Sequence, residues 1–170
     1  MKIKVKLFNP NCQFEVLAKG EWIDLRAAQK VELGAPYAHT LGQGRTVRTV
    51  MFHDVKIPLG IGMKLPKGFE AWIAPRSGTF KNYGMLLVNG KGIIDSSYSG
   101  PNDQWAFWGI ATKDAVIEEG ERICQFRIAP SQKASVWQKL RWLFTKKIEF
   151  EFVDDYEGED RGGFSSTGVD

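Results

Sequence analysis

Histidine is nearly absent: the 170 residues hold two, His39 and His53, in or beside one polar stretch. That supply excludes HExxH zinc chemistry and leaves a histidine-driven triad without material. Cysteine is as scarce. Cys12 and Cys124 lie far apart with no CxxC pair, so neither a thiolate metal site nor a redox dithiol is expected, and both read as buried free thiols. There is no GxxxxGK[ST] loop and no GxSxG elbow. No apolar run approaches the roughly 18 residues of a membrane span. The N-terminal MKIKVKLF alternates and forms no continuous apolar core. A soluble, intracellular (cytoplasmic) protein with no membrane partner is expected. An excess of one charge is missing too: Lys+Arg 23 against Asp+Glu 20 leaves a formal net charge of +3, too little to argue for a nucleic-acid partner. Any hydrolysis by such a chain has to rest on carboxylates, with a metal to help them.

What the sequence does contain is alternation. KIKVKLF (2–8), CQFEVLA (12–18), FEAWI (69–73), ICQFRI (123–128) and IEFEFV (148–153) put apolar residues at every second position, with glycine-rich turns between them. Period two and a length suited to one core predict a single all-β domain, a sandwich or barrel, over residues 1–153. Two insertions break the rhythm. Residues 35–50 are polar and turn-rich and read as a loop or hairpin. Residues 133–147 place Trp137, Leu140 and Phe144 at helical spacing, which predicts a short amphipathic helix packed on the sheet or on a neighbouring chain. Residues 149–160 carry seven acids and no base, and Lys133–Lys147 five bases and no acid; these blocks are expected to meet partners or each other. From Asp154 the chain reads as a mobile C-terminal arm, residues 154–170.

Candidate chemistry is spread along the chain. In LVNGKGIIDSSYSG (87–100), Asn89-Gly90 is a hairpin signal, Asp95 follows two isoleucines and Tyr98 lies three residues on. A carboxylate beside apolar neighbours is expected to have its pKa lifted toward the working range of a base. APRSGTFKNYG sets Arg76, Ser77 and Gly78 after a strand, a possible anion site. EEGERICQF supplies Arg122 and Gln125, and EWIDLRA supplies Asp24. Near the C-terminus Phe164 stands among glycines and hydroxyls, a composition suited to wrapping a phosphorylated base.

In order, these pieces resemble the five signatures of the trimeric dUTPases: IDLRA (23–27), PRSG (75–78), NGKGIIDSSYSG (89–100), GERICQ (120–125) and RGGFSSTG (161–168). The resemblance implies a jelly-roll/β-clip barrel, a homotrimer with shared active sites, and Mg²⁺-assisted hydrolysis of dUTP to dUMP and pyrophosphate by water attack on the α-phosphate. It implies that Asp95 is the general base. Asn89, Gly92 and Ile93 would read uracil, Tyr98 would stack on deoxyribose and Phe164 would close over the base. Arg76, Ser77, Gly78, Gln125, Arg161, Ser165, Ser166 and Thr167 would contact phosphates, and Asp24 would hold Mg²⁺ through water. The 154–170 arm would close over the site.

The chain departs from the family pattern at several points. Trp22 and Ile23 replace a small residue and a glycine before Asp24. Arg161 stands three residues before Phe164 instead of five, Ser165 replaces a glycine, and Ser97 stands where an acid is frequent. A dCTP deaminase of the same superfold is an alternative, but it needs a glutamate in the stretch DQWAFWGIA (103–111), which has none. A nucleotide-binding regulatory protein is a third.

Overall fold

The computed structural model describes residues 1–16, 20–41, 47–145 and 147–162. In chain order the strands are β1 (Lys2–Leu7), β2 (Ile23–Arg26), β3 (Val31–Leu33), β4 (Tyr37–Leu41), β5 (Val47–Met51), β6 (Asp54–Pro58), β7 (Ile61–Lys64), β8 (Phe69–Pro75), β9 (Met85–Leu87), β10 (Gly92–Asp95), β11 (Ala106–Ala111), β12 (Ala115–Ile117), β13 (Arg122–Pro130) and β14 (Glu149–Val153). The helices are α1 (Thr79–Tyr83) and α2 (Val136–Thr145). The strands form sheets ordered β14–β1–β7, β10–β8–β13–β2 and β6–β11–β9, with two-stranded pairs β12–β3 and β4–β5. The chain is all-β with few helices, as the alternation predicted.

The core follows from that alternation. Ile3 and Val5 on β1, Ile61 and Met63 on β7, Phe107 on β11 and Phe126 on β13 are fully buried. Phe126 meets Trp105 edge-on at 5.5 Å and Phe14 at 5.4 Å between ring centroids. Both cysteines are free and buried. The segment 12–18 is not the strand its alternation predicts: Cys12 ends a 3-10 turn, and residues 13–16 join no ladder. Their alternation instead serves Phe14, which plugs the core between Phe126, Phe150 and Phe152.

The two insertions differ in how well their patterns were read. The first is a hairpin, β4 against β5 in antiparallel register, whose tip at 42–46 lies outside the described residues. The second is a helix, α2, but with the opposite face inward. Trp142 packs on Phe69, with ring centroids 5.7 Å apart, and Gln138 Nε2 donates to the Lys67 carbonyl at 2.8 Å. Trp137 and Phe144 are 81% and 85% exposed. The expectation that the Trp137–Leu140–Phe144 stripe packs on the sheet is therefore corrected for this chain. Apolar residues lie on both sides of the helix, and Trp142 has the pocket beneath it. Among the described residues no helix is long and apolar enough to cross a membrane.

The acidic run meets the lysines of β1 and β7. Lys2 pairs with Glu151 at 3.3 Å, Lys6 with Asp155 at 3.0 Å, and Lys64 Nζ donates to the Glu157 carbonyl at 2.5 Å. Residues 154–162 lie along the body. Tyr156 is 6% exposed, with its hydroxyl donating to the Gly100 carbonyl at 3.2 Å, and Asp160 accepts from the Asn102 backbone and side chain.

Candidate active site

One face of the four-stranded sheet is turned outward and carries Asp24, Gln125, Ile93 and Asp95. On β8 the side chains of Phe69, Ala71 and Ile73 are buried, which leaves Glu70, Trp72 and Ala74 on the other face. The register then fixes the rows. Asp24, Gln125 and Ala74 align across β2, β13 and β8; Arg127, Trp72 and Ile93 across β13, β8 and β10; and Glu70 and Asp95 across β8 and β10. Cations lie against the indoles of the middle row: Lys91 Nζ stands 3.7 Å from the Trp72 ring, and Arg127 lies 5.6 Å from Trp72 and 5.7 Å from Trp22.

At one end of this face Asp24 is held by two arginines. Arg76 Nε donates to Oδ1 at 2.8 Å and Arg122 Nη1 to Oδ2 at 3.2 Å, with Asp24's side chain 22% exposed. The turn that presents Arg76 is locked from below: buried Thr79 accepts from the Arg76 backbone at 3.1 Å and donates to the Ile123 carbonyl at 2.6 Å. Gln125 Nε2 donates to the Pro75 carbonyl at 3.2 Å. Ser77 is exposed at the top of the turn, and a side chain at Gly78 would touch only Asn82, at 3.5 Å.

At the other end Asp95 closes β10. Its Oδ1 accepts from the Ser97 backbone at 2.7 Å and from the Ser97 hydroxyl; its Oδ2 accepts from Arg161 Nη1 at 3.1 Å. The same Nη1 donates to Ser97 Oγ at 2.6 Å. Partial burial works to raise the Asp95 pKa, but the Ser97 hydroxyl and amide and the Arg161 charge outweigh it and hold the carboxyl below its usual value. The expectation of a lifted pKa is therefore overturned in this state. Alternation sends Ile94 toward the core and Asp95 outward, where its side chain is 51% exposed and hydrogen-bonded. Tyr98 packs its ring against the core and donates its hydroxyl to the Gln104 carbonyl at 2.8 Å.

The Asn89-Gly90 turn exists, with Gly90 at φ 67°, but it does not close a hairpin. β9 pairs with β11 and β10 pairs with β8, so the turn hands the chain from one sheet to another. Gly92 and Ile93 lie on β10 beside Trp72, with Ile93 exposed.

Asp95 and the Arg76–Asp24–Gln125 group are not brought together within one chain. β10 and β2 are three strand spacings apart, roughly 14 Å, and the rows are offset along the strands by four residues. The separation is on the order of 20 Å. Arg161 joins Asp95, not the other phosphate candidates. Phe164, Ser165, Ser166 and Thr167 lie outside the described residues. Three participants escaped the motif reading. Arg122, noted beside Gln125, is the second partner of Asp24. Ser97, noted only as a departure, holds Asp95. Asp103 is 2% exposed and accepts from the backbone of Gly100, Arg161 and Gly162 at 2.9, 3.1 and 3.2 Å, so it seats the arm. An acid placed between a Pro-Asn turn and buried Trp105 was its only signal.

A family model described as dUTPase matches residues 42–167. The SPbeta prophage-derived deoxyuridine 5'-triphosphate nucleotidohydrolase YosS of Bacillus subtilis is 37% identical over 171 residues, covering 99% of both chains. A deoxyuridine 5'-triphosphate nucleotidohydrolase of Hydrogenobaculum is 35% identical over 118 residues, 69% of this chain and 73% of that one. Among solved structures, the dUTPase of Streptococcus mutans superposes with a TM-score of 0.60 at 22% identity, over 75% of this chain and 94% of its own. A Staphylococcus aureus phage phi11 dUTPase, whose structure describes the coordination of a structural Mg(II) ion, gives 0.60 at 16% identity, over 79% and 94%. At these identities the superpositions speak to fold alone.

Proposed function

The chain belongs to the dUTPase family, enzymes that hydrolyse dUTP to dUMP, and from that premise we propose that Asp95 is the general base for water attack on the α-phosphate, with pyrophosphate leaving. The oxygen of water bonds to the α-phosphorus, the bridge to the β-phosphate breaks, and the water proton passes to Asp95. The observation that carries this reading is the exposed, doubly held carboxylate at the end of β10: Ser97 occupies Oδ1 and leaves Oδ2 to Arg161. Oδ2 becomes available to a water once Arg161 moves to an anionic substrate.

Arg76, Ser77, Gly78 and Gln125 form the phosphate-binding group in this reading. Asn89, Gly92 and Ile93 read uracil, and Tyr98 bars a 2′-hydroxyl. The distance of roughly 20 Å across the sheet supports a homotrimer in which one copy's Asp95 works beside another's Arg76. The arm residues Phe164, Ser165, Ser166 and Thr167 close over base and γ-phosphate, with Arg161 at their root.

Asp24 suits a Mg²⁺ ion held through water. Each of its oxygens accepts one arginine N–H and keeps a lone pair for a metal-bound water. Among the described residues no cluster of three His, Cys, Asp or Glu could form an all-protein cage. Bound there, Mg²⁺ would neutralise charge on the phosphates. Pyrophosphate release measured in parallel with dUTP, dCTP, dTTP and UTP tests the reading. Turnover of dUTP alone is expected; pyrophosphate released from dCTP, dTTP or UTP as fast as from dUTP, or none from dUTP, would overturn it.

A further inference from the structure

We propose that Ser97 is a positioning residue that sets the Asp95 carboxylate and couples it to the C-terminal arm. The inference rests on Asp95 being the base. A hydroxyl can donate and accept at once, and Ser97 uses both capacities. It donates to Asp95 Oδ1 while accepting from Arg161 Nη1 at 2.6 Å, and its backbone amide donates a second bond to the same Oδ1 at 2.7 Å. Oδ1 is thereby fixed within the turn, and Oδ2 is the oxygen the arm covers or releases. An acid at this position could only accept. It would keep Arg161, lose the donation to Asp95 and set a like charge beside the base.

The surroundings make the hydroxyl the local link. Glu70 faces Asp95 across the ladder, its carboxylate accepting from Trp72 Nε1 at 2.6 Å. On the Ser96–Ser97 side a cavity of about 520 Å³ is lined by Lys2, Lys4, Lys64, Lys67 and Glu159. Asp103 holds the Arg161 backbone from beneath. Of the side chains in the described hydrogen bonds, Ser97 is the one that touches both the base and the arm's guanidinium. While Arg161 bridges the two, Oδ2 is occupied. When the arm lifts, Ser97 keeps the carboxylate aimed.

The test compares Ser97→Ala, Ser97→Thr and Ser97→Asp with the parent protein in the pH dependence of kcat/KM for dUTP, in KM against kcat, and in the titration of the Asp95 carboxyl followed by carbon NMR without nucleotide. Loss of the donor destabilises the carboxylate. In Ser97→Ala the acid limb and the NMR midpoint should therefore both move up by about one to two pH units, the size of one charge-assisted hydrogen bond. kcat should fall by about tenfold with KM little changed. Ser97→Thr should restore parent behaviour, and Ser97→Asp should move both midpoints further up. An unmoved limb and midpoint in Ser97→Ala, or equal defects in Ala and Thr, overturn the role of Ser97. A parent protein that leaves dUTP intact sinks the reading of Asp95 as base, and the NMR midpoints still report on Ser97.

Discussion

Two carboxylates on one sheet face are each paired with arginine, and they are held in opposite ways. Asp24 sits on β2 between Arg76 and Arg122, both presented by the rigid body of the sheet, and Thr79 pins the turn below. Asp95 sits at the end of β10 and meets one arginine, Arg161, which comes from the arm. The first pairing draws both its cations from the sheet itself. The second can be lost by moving a strap. A carboxylate with fixed counter-charges suits holding, whereas one whose counter-charge can leave suits proton transfer, since its basicity rises when the cation goes.

The largest effect should come from breaking the Asp95 end. Asp95→Asn keeps the shape and removes the proton acceptor, so kcat should drop by roughly 10² to 10⁴ while a non-hydrolysable dUTP analogue still binds. Near-normal turnover would remove Asp95 from the base role. Deleting residues 161–170 takes away Arg161 and the arm beyond it but leaves Asp95, Ser97 and Tyr98. kcat should fall at least about tenfold through lost positioning. The melting temperature without ligand should fall by roughly a few degrees, because buried Asp103 loses the amides of Arg161 and Gly162, and the acid limb should move up because Arg161 no longer favours the ionised carboxyl. Full activity in the truncated protein would show that the strap is dispensable. Asp24→Asn breaks the fixed end and should act most mildly: kcat falls about three- to tenfold, on the scale of one hydrogen bond's net worth of about 1 kcal/mol. The Mg²⁺ concentration for half-maximal rate should rise while the acid limb stays in place. A shifted limb in Asp24→Asn would mean that the two ends are coupled within one chain.

Alternation made β1, β8, β13 and β14 legible because each has one face in the core, and that signal is local. Pairing is not local. Asn89-Gly90 announced its turn correctly, yet which strand lies beside β10 is decided by β8, some twenty residues away in sequence. The helix at α2 was readable from spacing, but its orientation was not, because apolar residues occur on both sides and the choice belongs to the pocket formed by Phe69, Ile128 and Phe150. At the site, Asp24, Arg76, Gln125 and Asp95 were named from motifs. The sense of the Asp95 pKa shift was missed because two neighbouring isoleucines say nothing about a hydroxyl two residues on or an arginine 66 residues away.

The parallel pairing of β1 with β14 joins Lys2 to Glu149 and Val5 to Phe152, and the N-terminal ammonium itself donates to the Lys147 carbonyl at 2.7 Å. This ladder cannot form on a ribosome until β14 has emerged, and it closes a loop of more than a hundred residues, so it is a late event in folding. The strand from which the arm departs is thus completed last. A nascent chain interrupted before β14 would expose a bare edge along β1, where strand-to-strand association between unfinished copies begins. The order of synthesis therefore keeps the C-terminal strap from being rooted before the sheets beneath it exist.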